Sequence, residues 1–318
     1  MKIIKLNITW FLLLFVIGIA SCEKDEIKDG GGKTIVKIKD GGEDPLIVPL
    51  DVNPPIETIQ IADIRKDAVT QADANAATTI TITNTQAFLN AYNTANGTSY
   101  ELLPVGAYTI TPESGVTVSG NTWTINLAPG ELARVISISL NKSQLDLTKS
   151  YAFGLQITQS TVGTASLGKG SGIINVIVKN KYDGIYSVVS GTVTRYTAPG
   201  VPAGDALSGS LAGNPDVILA TAGPNTVSIP PAGADEGQLL WAAGSNLAVG
   251  GIDGLRVTVD PVTNLTTITS AANATLTNWA GHVNKYDPAT KTFYLAFRWN
   301  PTANVREYEV VLKYKGPR

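Results

Sequence analysis

The stretch VKNKYDGIYSVVSG, residues 178–191, joins two segments of different register. A hydrophobic run ends at Val178, a polar turn occupies Asn180 to Gly184, and a new alternating segment begins at Ile185. On both sides the chain consists of short runs of Val, Ile and Thr interrupted by Gly, Pro, Asn and Asp, so each side is predicted to fold as β-structure. The turn is therefore read as a domain boundary, with one β-domain over residues 34–180 and another over 181–318.

Upstream, TTITIT (78–83) alternates apolar and hydroxyl side chains with period 2, the pattern of a strand with one buried face. Turn residues recur roughly every ten positions, which suits an antiparallel sandwich. One segment departs from this: TQAFLNAYNTANG (85–97) carries Phe88, Leu89 and Tyr92 at helical spacing and ends on Asn96-Gly97, a C-terminal cap. One short helix crossing the sandwich is expected there. Downstream, VTVDPVTNLTTI and NKYDPATKTFYL each place Asp-Pro between two alternating arms, the signature of a hairpin. About eight strands joined in this way suit an antiparallel barrel, lipocalin-like in form, or a second sandwich.

The segment FLNAYNTANGTSYELLPVGAYTI (88–110), followed by APGELARVISISL (128–140), resembles the immunoglobulin-like N-terminal domain of a family of Bacteroidetes lipoproteins. The same kind of domain precedes the catalytic barrel in some family 18 endoglycosidases of that phylum. The second half, through YDGIYSVVSGTVTRY and YDPATKTFYLAFRW, more loosely resembles the barrel-like domain that follows it. These lipoproteins are similar to SusE-type accessory proteins of polysaccharide-utilisation loci. The resemblance implies a glycan-binding protein on the outer membrane, but no mechanism.

The N-terminus fits that expectation. MKIIKLNITWFLLLFVIGIAS (1–21) has two lysines, an apolar run and a small-residue end, the layout of a secretory signal peptide. The apolar run is shorter than the roughly 20 residues a spanning helix needs. Cys22, the sole cysteine, follows in the position of a bacterial lipobox and is read as the lipidated residue. A lone cysteine forms no intramolecular disulfide, and multiple acyl chains would anchor the chain to a membrane. Residues 22–33, charged and Gly-rich, read as a flexible tether, and the acidic residues of CEKDE look like a signal for the outer face of the outer membrane. The full chain carries 24 Lys and Arg against 26 Asp and Glu. Losing Lys2 and Lys5 with the leader deepens the net charge from −2 to −4, which argues against nucleic acid as a partner.

Residues able to carry catalysis are few. His282 is the only histidine, so neither a His-x-x-x-His metal pair nor a Cys-His zinc shell is available, and no G-x-S-x-G elbow occurs. Carboxylates of the second half sit mostly beside Gly or Pro, and no D-x-x-D-x-D-x-E run is present. The residues beyond the boundary are too few for a (β/α)₈ barrel of about 250. No catalytic residue, metal or cofactor is therefore assigned.

What remains are aromatic residues, whose faces stack on the C–H faces of sugars. Phe293, Phe297 and Trp299 share one strand face and read as core, as do Tyr308 and Tyr314. Better ligand candidates lie beside breakers and polar residues: Trp241, Trp279, and Tyr196 next to Arg195, with Asn246, Asn278 and His282 as hydroxyl partners. The leading expectation is non-catalytic binding of a polysaccharide or oligosaccharide. An alternative is an interaction lipoprotein that docks on a TonB-dependent transporter and its substrate-binding lipoprotein, and a hydrolase is a third reading.

Overall fold

A computed structural model describes residues 32–229 and 237–318. The leader, Cys22 and most of the tether lie outside the described residues, as do Asp235 and Glu236. The described chain is almost entirely β-structure, in three sheets.

Two sheets form the first half and share one core. A five-stranded sheet runs Thr164–Ala165, Ile35–Ile38, Ile56–Asp67, Ala133–Asn141, Tyr108–Ile110. Facing it, a seven-stranded sheet is built around Ser150–Ser160, Ser171–Lys179 and Thr78–Asn84. Alternation does the positioning. In TTITIT, Ile80 and Ile82 are fully buried, and Trp123 and Phe153 meet edge to face beneath them at 5.7 Å. The sandwich is not purely antiparallel, because Ile35–Ile38, Leu46–Asp51 and Tyr100–Leu102 each pair in parallel with a neighbour. Each of these pairs with a strand far from it in the chain, which frees strand direction from the hairpin rule.

The expected helix spans Gln86–Asn96, capped by Thr85 at its start and by Gly97 at φ 66° at its end. It lies against the outer side of the seven-stranded sheet, where Leu89 joins Ala152 and Ile173 in a small separate cluster. Asn93 fixes the turn that follows: its Nδ2 donates to the Tyr100 carbonyl and its Oδ1 accepts from Thr98 and the Tyr100 N–H. A second helix, Gln71–Asn75, was not foreseen; at five residues it is too short to show an amphipathic period.

The stretch 180–184 is a latch. Asn180 donates through Nδ2 to the carbonyls of Gly223 and Thr226. Asp183 accepts from the Thr221 N–H and hydroxyl and from the Arg318 guanidinium.

Beyond it, one eleven-stranded sheet curls into a nearly closed barrel, which settles the choice left open between barrel and sandwich. Its spine is the antiparallel pair Gly184–Ala198 and Arg306–Gly316. Gly191, at φ 144°, sits where an added Cβ would lie 2.2 Å from the Glu309 carbonyl oxygen, so the two strands cross this closely only with glycine there. Both Asp-Pro turns form as expected, joining Leu255–Val259 to Thr266–Ser270 and Lys285–Asp287 to Thr292–Trp299. In each, the Asp carboxylate accepts from backbone N–H groups inside the turn. Closure comes from a side chain: Asn278 accepts from the Ile268 N–H at 2.8 Å and donates to the Thr266 carbonyl at 2.7 Å, standing in for a ladder rung. A bridge between Leu265 and Lys285 continues the seam.

The barrel interior is aromatic. Phe293, Phe297 and Trp299 are all buried on the inner face, with Tyr186 and Tyr308 opposite them. The Tyr308 hydroxyl donates to the Leu240 carbonyl at 2.7 Å, and burial pushes its pKa well above the usual phenol value.

Candidate functional site on the barrel wall

A strand with period 2 sends neighbouring residues to opposite sides, and this divides the seven candidates. Arg195 shares the inward face of Val193, and Tyr196 points outward. The two are adjacent in sequence but belong to different surfaces.

On the outer wall, Glu307 and Glu309 alternate with the inward Tyr308 and Val310. Register places Glu309 beside Thr192 and Ala296, and Glu307 beside Thr194 and Arg298. The segment after Thr277–Asn278 runs across this wall. The Trp279 N–H donates to the Ala296 carbonyl, and Ala296 is buried although its parity faces outward. Trp279 and His282 stack with ring centroids 3.7 Å apart and planes 19° from parallel. His282 Nδ1 lies 2.6 Å from Glu309 Oε1, which fixes the imidazole orientation. The Tyr196 hydroxyl donates to Glu307 Oε2 at 3.0 Å, and that hydrogen bond, with burial second, raises the phenol pKa.

The outer wall thus carries a partly exposed indole–imidazole stack, two carboxylates and one phenol, each held by a partner. Glu307 and Glu309 were missed from the sequence as site residues, although the alternation in REYEVVLKY separates a polar from an apolar face. These two carboxylates point the same way from one strand.

The other candidates stand elsewhere. Trp241 is a core residue, 8 % exposed, stacked on Trp299 at 6.1 Å, so the expectation of an open stacking face there is corrected. It is buried because the Leu240 carbonyl and the Trp241 N–H are tied to Tyr308 and Leu247, which turn the indole inward. The amide of Asn278 is spent on closing the barrel, which corrects its assignment as a hydroxyl partner. Asn246 is exposed in a left-handed turn at φ 54°, and makes no hydrogen bond to the other six candidates among the described residues. Arg195 lies inside the rim, its guanidinium 4.9 Å from the Trp241 ring centroid and paired with Asp205. Among the described residues no group of three or more His, Cys, Asp or Glu side chains is placed to hold a metal.

This fold and wall define an all-β, two-domain protein with a polar aromatic patch on a nearly closed barrel. A family profile described as a "-like, N-terminal domain" matches residues 35–163, inside the stretch that resembles the lipoprotein domain. No curated protein matches the chain. Among solved structures, a multidomain protein including DUF1735 from Bacteroides ovatus is similar at TM-score 0.52 and 12% identity, covering 87% of this chain and 93% of that one. A protein of unknown function from Bacteroides ovatus is similar at TM-score 0.51 and 12% identity, over 92% and 93% of the two chains. An auxiliary nutrient binding protein from Bacteroides thetaiotaomicron VPI-5482 reaches TM-score 0.48 at 12% identity, over 85% of this chain and 91% of that one. At such identities the likeness is one of fold alone.

Proposed function

We propose that this protein is a surface lipoprotein, acylated at Cys22 and held on the outer membrane, that binds a polysaccharide or oligosaccharide without cleaving it. The observation that carries the reading is the Trp279–His282 stack on the outer wall, flanked by Glu309, Glu307 and Tyr196. A sugar ring lays its C–H face on such a surface, and fixed carboxylates and a phenol take its hydroxyls with little ordering cost, because each is already held by a partner. Arrangement along the chain supports the reading. Thr34 sits beside Gly163, at one end of the strand Ser150–Ser160, and Ser150 lies at the other end against the barrel, so the tether would leave from the side away from it. Under this reading the neighbours on the membrane are a TonB-dependent transporter and its substrate-binding lipoprotein.

The test is titration of the full mature chain against a panel of bacterial, plant and host polysaccharides by affinity electrophoresis and calorimetry, with Trp279→Ala alongside. Binding by the wild type that is lost in Trp279→Ala supports the reading. No binding to any member of the panel, or equal binding by the variant, overturns it. Release of reducing ends that stops in Glu309→Gln would establish the hydrolase instead.

A further inference from the structure

The inner wall ends in a feature that the glycan platform does not use. Register aligns Arg195 with Arg306, and Arg306 with Trp299, so one inward row across three strands reads Arg, Arg, Trp. Side chains directly opposite in such a row have Cβ atoms about 5 Å apart, and like charges there repel. The pair shares one carboxylate: Asp205 bonds Arg195 Nη1, and among the described residues no carboxylate pairs with Arg306. Among the described residues, Arg306 Nη1 donates to the carbonyls of Tyr196 and Val305 alone. Burial and the neighbouring Arg195 both pull the Arg306 pKa below its ordinary value. Among the described residues, the buried Arg195 Nε finds no hydrogen-bond partner.

A structural ion pair would match charges one to one. Here two guanidinium groups offer ten N–H donors between them, and one carboxylate, two carbonyl oxygens and an indole face do not satisfy them. A partly buried cation short of its counter-ion costs free energy unless something supplies one. The row lies at the rim. From the latch at Asp183 the chain runs to Arg195 over roughly 40 Å at about 3.3 Å per residue, which puts the pair at the end of the barrel remote from the first domain. Asp205 is about one-third exposed, so the rim is open to solvent beside the pair.

We infer that Arg195 and Arg306 form an anion-recognition site that takes the carboxylate or sulfate ester of an acidic sugar. Guanidinium forks accept both groups in bidentate fashion, and Trp241 holds the first of them in place by its ring face. That the anion is carried on a sugar rests on the reading above; the requirement for an anion follows from the arginines.

The experiment uses the mature chain with sodium D-glucuronate and sodium sulfate, compared with sodium chloride at equal ionic strength and with D-glucose. Thermal denaturation and calorimetry are the readouts. Glucuronate or sulfate should stabilise the protein saturably beyond chloride, and whichever does so more strongly identifies the source as uronate or sulfate ester. Arg306→Gln should weaken that response about tenfold, the scale of one charge-assisted pair. Asp205→Asn, which removes the competing carboxylate, should strengthen it several-fold, a direction that loss of structure does not produce. Trp279→Ala should leave it unchanged, so failure of the outer platform and failure of this site are separable. A response equal to that of chloride in both the wild type and Asp205→Asn, or one that survives Arg306→Gln, overturns the inference.

Discussion

Arg195 and Tyr196 are consecutive, yet one lines the interior of the barrel and the other its outer wall. Inside, the aromatic residues are packed to exclusion: Trp299, Phe297 and Tyr308 stack in sequence at 5.9 and 5.1 Å, and none is more than 2 % exposed. Outside, the Trp279–His282 stack is tighter in geometry but partly open to solvent, and its partner is the Glu309 carboxylate instead of another ring. The same residue types therefore do different work. A ring surrounded by rings stabilises the fold, and a ring bordered by fixed polar groups is available to a ligand. Substitutions on the two walls should separate stability from binding.

The largest effect is expected inside. Trp299→Ala removes a 2 % exposed indole from the stack that also holds Trp241 and Phe297, and should cost about 3–5 kcal/mol in chemical denaturation. A loss under about 1 kcal/mol would show that the inner row is not the core of the barrel. Next is the seam. Asn278→Ala leaves the Ile268 N–H and Thr266 carbonyl without partners and should cost about 1–3 kcal/mol, with faster hydrogen exchange along Thr266–Ser270. If exchange there is unchanged, the barrel does not close through Asn278.

The walls differ in how far the sequence reveals them. Inward positions are legible: Phe293, Phe297, Trp299 and Tyr308 follow from alternation alone, as does the pairing of both Asp-Pro hairpins. The platform is only half legible. Trp279 and His282 stand close in sequence, but Glu309 reaches them across 27 residues, and nothing local announces that contact. Grouping Arg195 with Tyr196 fails because consecutive residues of a strand face opposite sides, and grouping Asn278 with His282 fails because the Asn278 amide is engaged in the seam. Parity applied to REYEVV would have set Arg306 inward with Tyr308 and the two glutamates outward. Closure by the Asn278 amide was beyond reach, since a side chain replaces a rung that strand patterns cannot encode.

A smaller effect on stability is expected outside. Trp279→Ala should cost clearly less unfolding free energy than Trp299→Ala, because the ring is partly exposed and its backbone N–H still reaches Ala296. Glycan binding should fall to the detection limit in the same variant. A destabilisation as large as that of Trp299→Ala would make Trp279 another core residue and dissolve the distinction between the walls.

The smallest effect concerns the turns that join the walls. Asp260 and Asp287 accept hydrogen bonds within their own turns, from Thr263 and Val262 and from Thr290 and Ala289, and these bonds hold both carboxyl groups below their ordinary pKa. A carboxylate depressed in the folded state stabilises it above the unfolded carboxylate range near pH 4, and that contribution fades as pH falls through the lower folded value. Asp260→Asn and Asp287→Asn should therefore flatten the acid limb of melting temperature against pH while leaving melting at pH 7 only slightly lower. Glycan binding at neutral pH should not move, since neither turn touches Trp279 or His282. A steeper acid limb in these variants would mean that the carboxylates repel something in the folded barrel instead of capping its turns.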